Sequence, residues 1–155
     1  MCEIELASEN ASNPLVFATY TFDDVNDYAI DINRHNISSS EGKNRMNINK
    51  LRKALLTSWS IQTSTKWTAE NPAKGQCGVT SLVINDILGG EIKKTQLPEG
   101  WHYYNFVGGK RYDFTKQQFE AHLIYSDIAS SRAEAMSDTN NEQYKTLKEM
   151  VQQQV

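Results

Sequence analysis

Apolar residues recur at helical spacing from residue 47 onward. Ile48, Leu51, Leu55 and Trp59 follow one another at intervals of three, four and four residues, which places them on one face of an α-helix. Asn47 stands directly before this run and is a favoured N-cap residue type. The pattern therefore predicts an amphipathic helix that starts at Ile48.

A second helix is predicted from Cys77 to Leu88. It follows a loop over residues 60–73, in which Pro72 ends any regular structure. Its apolar residues fall on two faces, one with Val79, Leu82, Val83 and Ile87 and the other with Ile84 and Leu88. A helix that is apolar on two faces is expected to be largely buried. Gly89-Gly90 is a typical C-terminal stop.

Three strands are predicted next, over residues 91–97, 101–107 and 110–115. The turn Pro98-Glu99-Gly100 separates the first two, and Gly108-Gly109 between the others is a strong hairpin signal. Thr115 and Gln118 have the spacing of a capping box, which predicts a short helix.

The hairpin fixes a register that can be checked. If Gly108 and Gly109 form the loop, Val107 pairs with Lys110 and Tyr104 lies opposite Asp113. Side chains alternate between the two faces of a strand, so His102 and Asp113 share a face as diagonal neighbours, with their backbones roughly 7 Å apart across the two strands. The register predicts that their side chains can form a hydrogen bond.

Residues 1–46 are interpreted as an N-terminal extension and residues 47–155 as one α+β domain. Within the extension, residues 1–14 are irregular, Leu15–Phe22 is a candidate strand and Asp23–Arg34 a candidate helix. Residues 126–139 are small and polar and are interpreted as a linker. A last helix is predicted to begin at Asn140 or Asn141, with Tyr144, Leu147 and Val151 on one face.

Composition excludes several functional classes. The 155 residues are 39% hydrophobic and 23% charged, with a net charge of −3, which argues for a soluble globular protein and against a general nucleic-acid binder. The sequence has no apolar run of membrane-spanning length and no secretory signal. Two cysteines, Cys2 and Cys77, are interpreted as free thiols of a cytoplasmic protein. No metal site or cofactor is predicted.

Cys77 carries the chemistry that the sequence suggests. A thiol at a helix N-terminus is expected to have a lowered pKa, and an ion pair with His102 would lower it further. Asp113 would orient the imidazole as the third member of a triad. The backbone N–H of Cys77 and the side chain of Gln76 are candidate donors to an acyl oxyanion.

Each of these residues also has a structural interpretation. A cysteine before an apolar helix is often a small buried hydrophobe, and a lone histidine more often forms a structural hydrogen bond. Asp113 could pair with Arg111 or cap the helix after Thr115. The catalytic hypothesis rests on the joint arrangement of all three residues.

Three segments of the sequence form a recognisable set: Asn71-Pro72-Ala73-Lys74-Gly75-Gln76-Cys77-Gly78, His102-Tyr103-Tyr104-Asn105 and Asp113-Phe114-Thr115-Lys116-Gln117-Gln118-Phe119. Through them the sequence resembles the YunG family of small bacterial proteins, from about residue 48 to the C-terminus. The chain order Cys, His, Asp is that of papain-like and transglutaminase-like enzymes. The resemblance implies a core of that kind, with the Cys77 helix packed on a small antiparallel sheet.

The sequence thus favours a cysteine-dependent hydrolase, peptidase, deamidase or acyl transferase. Its substrate would be a peptide, a protein or a small molecule with an amide or acyl bond. The alternative is a papain-like binding module without turnover, and a weaker third hypothesis is a redox-sensing thiol resolved by Cys2. No nucleic-acid or membrane partner is predicted, and a protein partner would use the N-terminal extension or the C-terminal helix.

Overall fold

A computed structural model describes residues 46–155, which belong to one compact unit. The strand and helix predicted within residues 1–45, and Cys2, lie outside the described residues. In the described part the elements are α1 (Ile48–Ser58), α2 (Cys77–Leu88), β1 (Glu91–Leu97), β2 (Gly100–Val107), β3 (Lys110–Tyr112), a 3-10 helix (Lys116–Gln118), β4 (Ile128–Ser130), α3 (Arg132–Ser137) and α4 (Asn141–Gln152). The protein is α+β, as predicted, with helices on a small antiparallel sheet.

Helix α1 begins where the sequence predicts. The Asn47 side chain accepts hydrogen bonds from the backbone N–H groups of Asn49 and Lys50, at 2.9 and 3.2 Å. These bonds satisfy amide groups that have no partner within the helix. Leu51 and Leu55 on the predicted face are fully buried, so the periodicity identified the core face correctly.

Helix α2 lies at the centre of the domain. All eight residues from Cys77 to Ile84 are buried, because β2 packs against one side of the helix while α3 and α4 pack against others. Val79, Val83 and Ile84 join a cluster with α1 and α4, and Leu82 joins a second cluster with Tyr103 of β2. The prediction of a buried helix is confirmed.

The sheet has four antiparallel strands in the order β3-β2-β1-β4. Val107 pairs with Lys110 and Phe106 with Arg111, which confirms the predicted hairpin register. β3 ends at Tyr112, three residues earlier than predicted, because Asp113 leaves the ladder to form side-chain bonds with Thr115.

The prediction of a linker over residues 126–139 is wrong. This segment contains β4, which pairs with β1, and the six-residue helix α3. Ser131 and Glu134 form a complete capping box at the start of α3, so the sequence contained a start signal that its small and polar residues obscured. The capping box predicted at Thr115 is absent, since the Thr115 hydroxyl donates to Asp113 instead.

The last helix begins as predicted, with Asn140 as its N-cap. Leu147 and Val151 on its apolar face are fully buried and pack with α1 and α2. The core face of α4 is therefore occupied within this domain.

Candidate active site

Cys77 is the first residue of α2, and the preceding loop needs glycine to bring it there. Gly75 has φ +69°, and a Cβ at this position would lie 2.6 Å from Ser64 Oγ. Its N–H donates to Gln118 Oε1 at 3.3 Å. Only glycine combines this backbone conformation with so close an approach, so the loop delivers the thiol to the helix start in one orientation.

The thiol of Cys77 has a partner that the sequence analysis did not identify. Cys77 Sγ donates to Asp138 Oδ2 at 3.4 Å, and the same oxygen accepts from the backbone N–H of Gly78 at 3.2 Å. Asp138 is the C-cap residue of α3. The end of α3 thus closes over the start of α2.

The pKa of Cys77 is raised to about 12, against the expectation of a lowered value. Burial of the thiol is the largest cause, followed by the negative charge of Asp138, while the backbone N–H of Tyr103 acts in the opposite direction. A helix N-terminus contributes about 0.3–1 kcal/mol, less than one pKa unit, whereas burial can shift a pKa by up to about 3–5 units. Cys77 is therefore a neutral thiol at neutral pH.

His102 and Asp113 form the close pair that the hairpin register predicts. His102 Nε2 lies 2.6 Å from Asp113 Oδ2, and the side chains are only 1% and 4% exposed. The ring of Phe119 packs edge-on against the imidazole, with centroids 4.9 Å apart. The imidazole is thus held both by its polar edge and by its face.

Asp113 is hydrogen-bonded to three side chains and one backbone N–H. Besides His102, its donors are the Thr115 N–H at 3.0 Å, the Thr115 hydroxyl at 3.2 Å and the Tyr125 hydroxyl at 2.8 Å. Burial and the charge of Asp113 raise the pKa of Tyr125, which keeps this hydroxyl a donor.

This network fixes the proton on the imidazole of His102. With Asp113 Oδ2 as the acceptor, Nε2 is the donor in this hydrogen bond, and Nδ1 is then the imidazole nitrogen that can accept a proton. Nδ1 is buried and has no hydrogen-bond partner among the described residues. A buried basic nitrogen without a partner is uncommon in a folded protein and is available to accept a proton.

The two pairs belong to one site. Tyr103, the residue after His102, packs in the same buried cluster as Cys77. Its backbone N–H acts to lower the pKa of Cys77, while the charge of Asp113 acts to raise it. Burial raises the pKa of Asp138, while its hydrogen bonds to Cys77 and to the Gly78 N–H act to lower it. The expected ion pair between Cys77 and His102 is not formed, because the thiol donates to Asp138.

Gln76 does not present its amide nitrogen as expected for an oxyanion donor. The side chain is fully buried, and Nε2 points to the carbonyl oxygen of Ser60 at 3.5 Å. Its Oε1 is buried without a hydrogen-bond partner among residues 46–155. The backbone N–H groups at the start of α2 are thus better placed as donors than the Gln76 side chain.

The structure also distinguishes the two structural interpretations of Asp113, an ion pair with Arg111 and a cap for the helix after Thr115. Arg111 pairs with Asp127, with its Nε 2.9 Å from Asp127 Oδ1, so Arg111 is not the partner of Asp113. The bond from the Thr115 N–H to Asp113 agrees with the second alternative, a cap before the short helix. Asp113 therefore combines a structural role with its contact to His102.

Two residues of the site were missed by sequence reasoning. Tyr125 and Asp138 lie in or beside the segment that was interpreted as irregular, and both reach the site through tertiary packing. The Ser131–Glu134 capping box is the one local signal that could have placed α3, and with it Asp138. Within residues 46–155 no cluster of three or more His, Cys, Asp or Glu residues could hold a metal ion.

Comparison with known proteins identifies the family. A family model described as YunG protein matches residues 47–155. The chain belongs to the YunG family. It is 56% identical over 95 residues to the uncharacterized protein YunG of Bacillus subtilis (strain 168), an alignment that covers 61% of this chain and 83% of that protein.

No solved structure matches the chain. In the part of the chain that the structure describes, no helix has both the length and the apolar character needed to cross a bilayer.

Proposed function

We propose that this YunG protein is a cysteine-dependent enzyme that acts on an amide or related acyl bond, with Cys77 as nucleophile and His102 as base. Membership of the YunG family does not by itself indicate an activity, so the proposal rests on the geometry of the site around Cys77 and His102. The order of elements, a Cys-bearing helix packed on an antiparallel sheet whose strand carries the histidine, supports a papain-like or transglutaminase-like core.

The observation that carries this proposal is the state of His102. Asp113 holds Nε2–H, and Nδ1 is buried without a partner. An imidazole kept only for structure would be expected to bond at both nitrogens when it is so deeply buried. An oriented imidazole with one free nitrogen, on the strand that packs against the Cys77 helix, is suited to act as a general base.

In the proposed reaction Cys77 Sγ attacks the carbonyl carbon and its proton passes to His102 Nδ1. The tetrahedral oxyanion is stabilised by backbone N–H groups at the start of α2, where the helix dipole also favours negative charge. The intermediate collapses as the carbon–leaving-group bond breaks, and the imidazolium protonates the leaving group. A thioester on Cys77 remains, and a second nucleophile releases it.

The second nucleophile decides the reaction class. Water gives hydrolysis or deamidation, and an amine gives acyl transfer, with the same three residues in each case. The substrate class is accordingly a peptide, a protein or a small molecule with an amide or acyl bond. Because the resting thiol is neutral, proton transfer to His102 accompanies attack instead of preceding it.

A non-catalytic binding module is the second candidate, and the contact between Cys77 and Asp138 favours it. A carboxylate that holds a buried thiol neutral is of no evident use to a nucleophile at rest. The two candidates differ in whether His102 affects the reactivity of the thiol.

Alkylation of Cys77 by iodoacetamide across pH 6–9 separates the two candidates. In a Cys2→Ser background, we expect the rate near neutral pH to fall at least about tenfold when His102 is replaced by Ala, because general-base assistance by Nδ1 is lost. Equal rates with and without His102 would reject the catalytic proposal and favour the binding module.

A further inference from the structure

Asp138 reaches the thiol from a separate element of the fold. The residue lies at the end of α3 and is exposed to solvent as a whole, yet its Oδ2 touches both Cys77 Sγ and the Gly78 N–H. The carboxylate is therefore partly buried against the thiol, at the end of a helix whose residues are mostly exposed. A group in that position can be displaced without unfolding the domain.

The short helix α3 is held firmly enough to keep this contact. Glu134 completes the capping box of Ser131 and bonds Lys94 Nζ at 2.8 Å. Arg132 bonds the side chain of Asn85 on α2 at 2.8 Å. These contacts position the C-terminal end of α3 over the start of α2 independently of Asp138 itself.

Gly78 makes the close approach of Asp138 feasible. A Cβ at this position would lie 2.7 Å from Asp138 Oδ2 and 2.8 Å from the backbone oxygen of Ala135. Real Cβ atoms essentially never come so close to a neighbour, so any larger residue would push α3 away. Two buried polar atoms, Gln76 Oε1 and His102 Nδ1, have no hydrogen-bond partner among the described residues.

We propose that Asp138 is a positioning residue for Cys77, whose carboxylate holds the thiol protonated and occupies the Gly78 N–H until an acyl substrate displaces it. This inference rests on the proposed role of Cys77 as nucleophile. It further assigns a substrate class, because the carboxylate disfavours anionic acyl groups and admits neutral or cationic ones.

The charges that face the thiol agree with this selectivity. Asp138 on α3 and Asp113 after β3 both raise the pKa of Cys77, whereas Tyr103 on β2 contributes only a backbone N–H. Lys66, in the loop before α2, is a positive charge that acts to lower the pKa of Asp138. The nearest charge to the sulfur is thus negative, and an anionic reagent must approach against it.

The test compares two alkylating reagents that differ in charge. In the Cys2→Ser background, iodoacetamide and iodoacetate are reacted with the parent, with Asp138→Asn and with Glu134→Gln, at one pH near 8. Glu134→Gln is the matched control, since it removes a negative charge from the same helix and leaves the carboxylate at the thiol. A glutamine at this position can still complete the capping box and accept from Lys94. Asp138→Glu tests whether a longer carboxylate restores the parent behaviour.

Asp138→Asn is expected to raise the iodoacetamide rate about three- to tenfold, because a lower thiol pKa increases the thiolate fraction while reducing its nucleophilicity. The iodoacetate rate should rise at least about threefold more, since the repulsion is also removed. Glu134→Gln should change neither rate, and Asp138→Glu should keep the preference for iodoacetamide.

Two outcomes would overturn the assignment of Asp138. Unchanged rates in Asp138→Asn would show that the carboxylate does not control the thiol. Equal gains for both reagents, shared by Glu134→Gln, would show that α3 merely loosened. Neither outcome changes the expected effect of His102→Ala on the alkylation rate. Rejection of the role of Asp138 can therefore be distinguished from rejection of the proposed function. If Asp138→Asn does not fold, the preference of the parent for iodoacetamide over iodoacetate, lost in Asp138→Ser, gives the same answer.

Discussion

Replacing His102 by Gln is expected to slow the acetylation of Cys77 by p-nitrophenyl acetate about 10²- to 10⁴-fold, the usual contribution of a general base. Glutamine is polar and of similar length, but it has no group that accepts a proton at neutral pH. The rate is measured from the gain of one acetyl group in the intact mass of the Cys2→Ser protein.

His122→Gln is the matched control for this substitution. His122 is exposed, and its replacement should leave the acetylation rate unchanged. Thermal unfolding of both variants shows whether each is folded under the assay conditions. A folded His102→Gln variant that acetylates as fast as the parent would remove His102 from the mechanism.

Asp113→Asn is expected to lower the free energy of unfolding by about 3 kcal/mol, because bonds to a charged acceptor are worth about 1.5–3 kcal/mol each and buried donors would be left unpaired. An asparagine amide presents two donors of its own to the groups that now donate to Asp113. His102, Thr115 and Tyr125 would all lose a bond or meet a second donor. Urea denaturation measures the change.

Asp127→Asn supplies the comparison for Asp113. Asp127 pairs with Arg111 at the surface, where ion pairs contribute about 0–1 kcal/mol. Its substitution should therefore cost less than about 1 kcal/mol. Equal losses in the two variants would mean that the network around Asp113 does not stabilise the domain.

Much of this fold could be read from local patterns. Helices α1, α2 and α4 and the hairpin of β2 and β3 each have a periodic apolar face together with a cap or turn residue, such as Asn47, Asn140 and Gly108-Gly109. These signals depend on residues that are close together in the sequence, so they can be recognised without the tertiary structure. Residues 126–139 lack an apolar face, and packing against β1 and α2 decides their structure instead.

The candidate site divides in the same way. The contact between His102 and Asp113 follows from the register of one hairpin and was predictable. The bond between Cys77 and Asp138 joins residues 61 positions apart and depends on where α3 docks. The prediction of a low pKa for Cys77 is wrong because it took only the helix N-terminus into account. Burial of the thiol and the carboxylate of Asp138, which both depend on tertiary packing, raise the pKa instead.

The identity of the residue that becomes acetylated is the most direct test of Cys77 as the proposed nucleophile. After reaction with p-nitrophenyl acetate, tryptic cleavage after Lys74 and Lys93 yields a peptide of residues 75–93 that contains Cys77. We expect the acetyl group on this peptide as a thioester that hydroxylamine removes, and we expect none there in Cys77→Ala. Acetylation confined to other peptides, or equal in Cys77→Ala, would contradict the role of Cys77 as an acyl-accepting nucleophile.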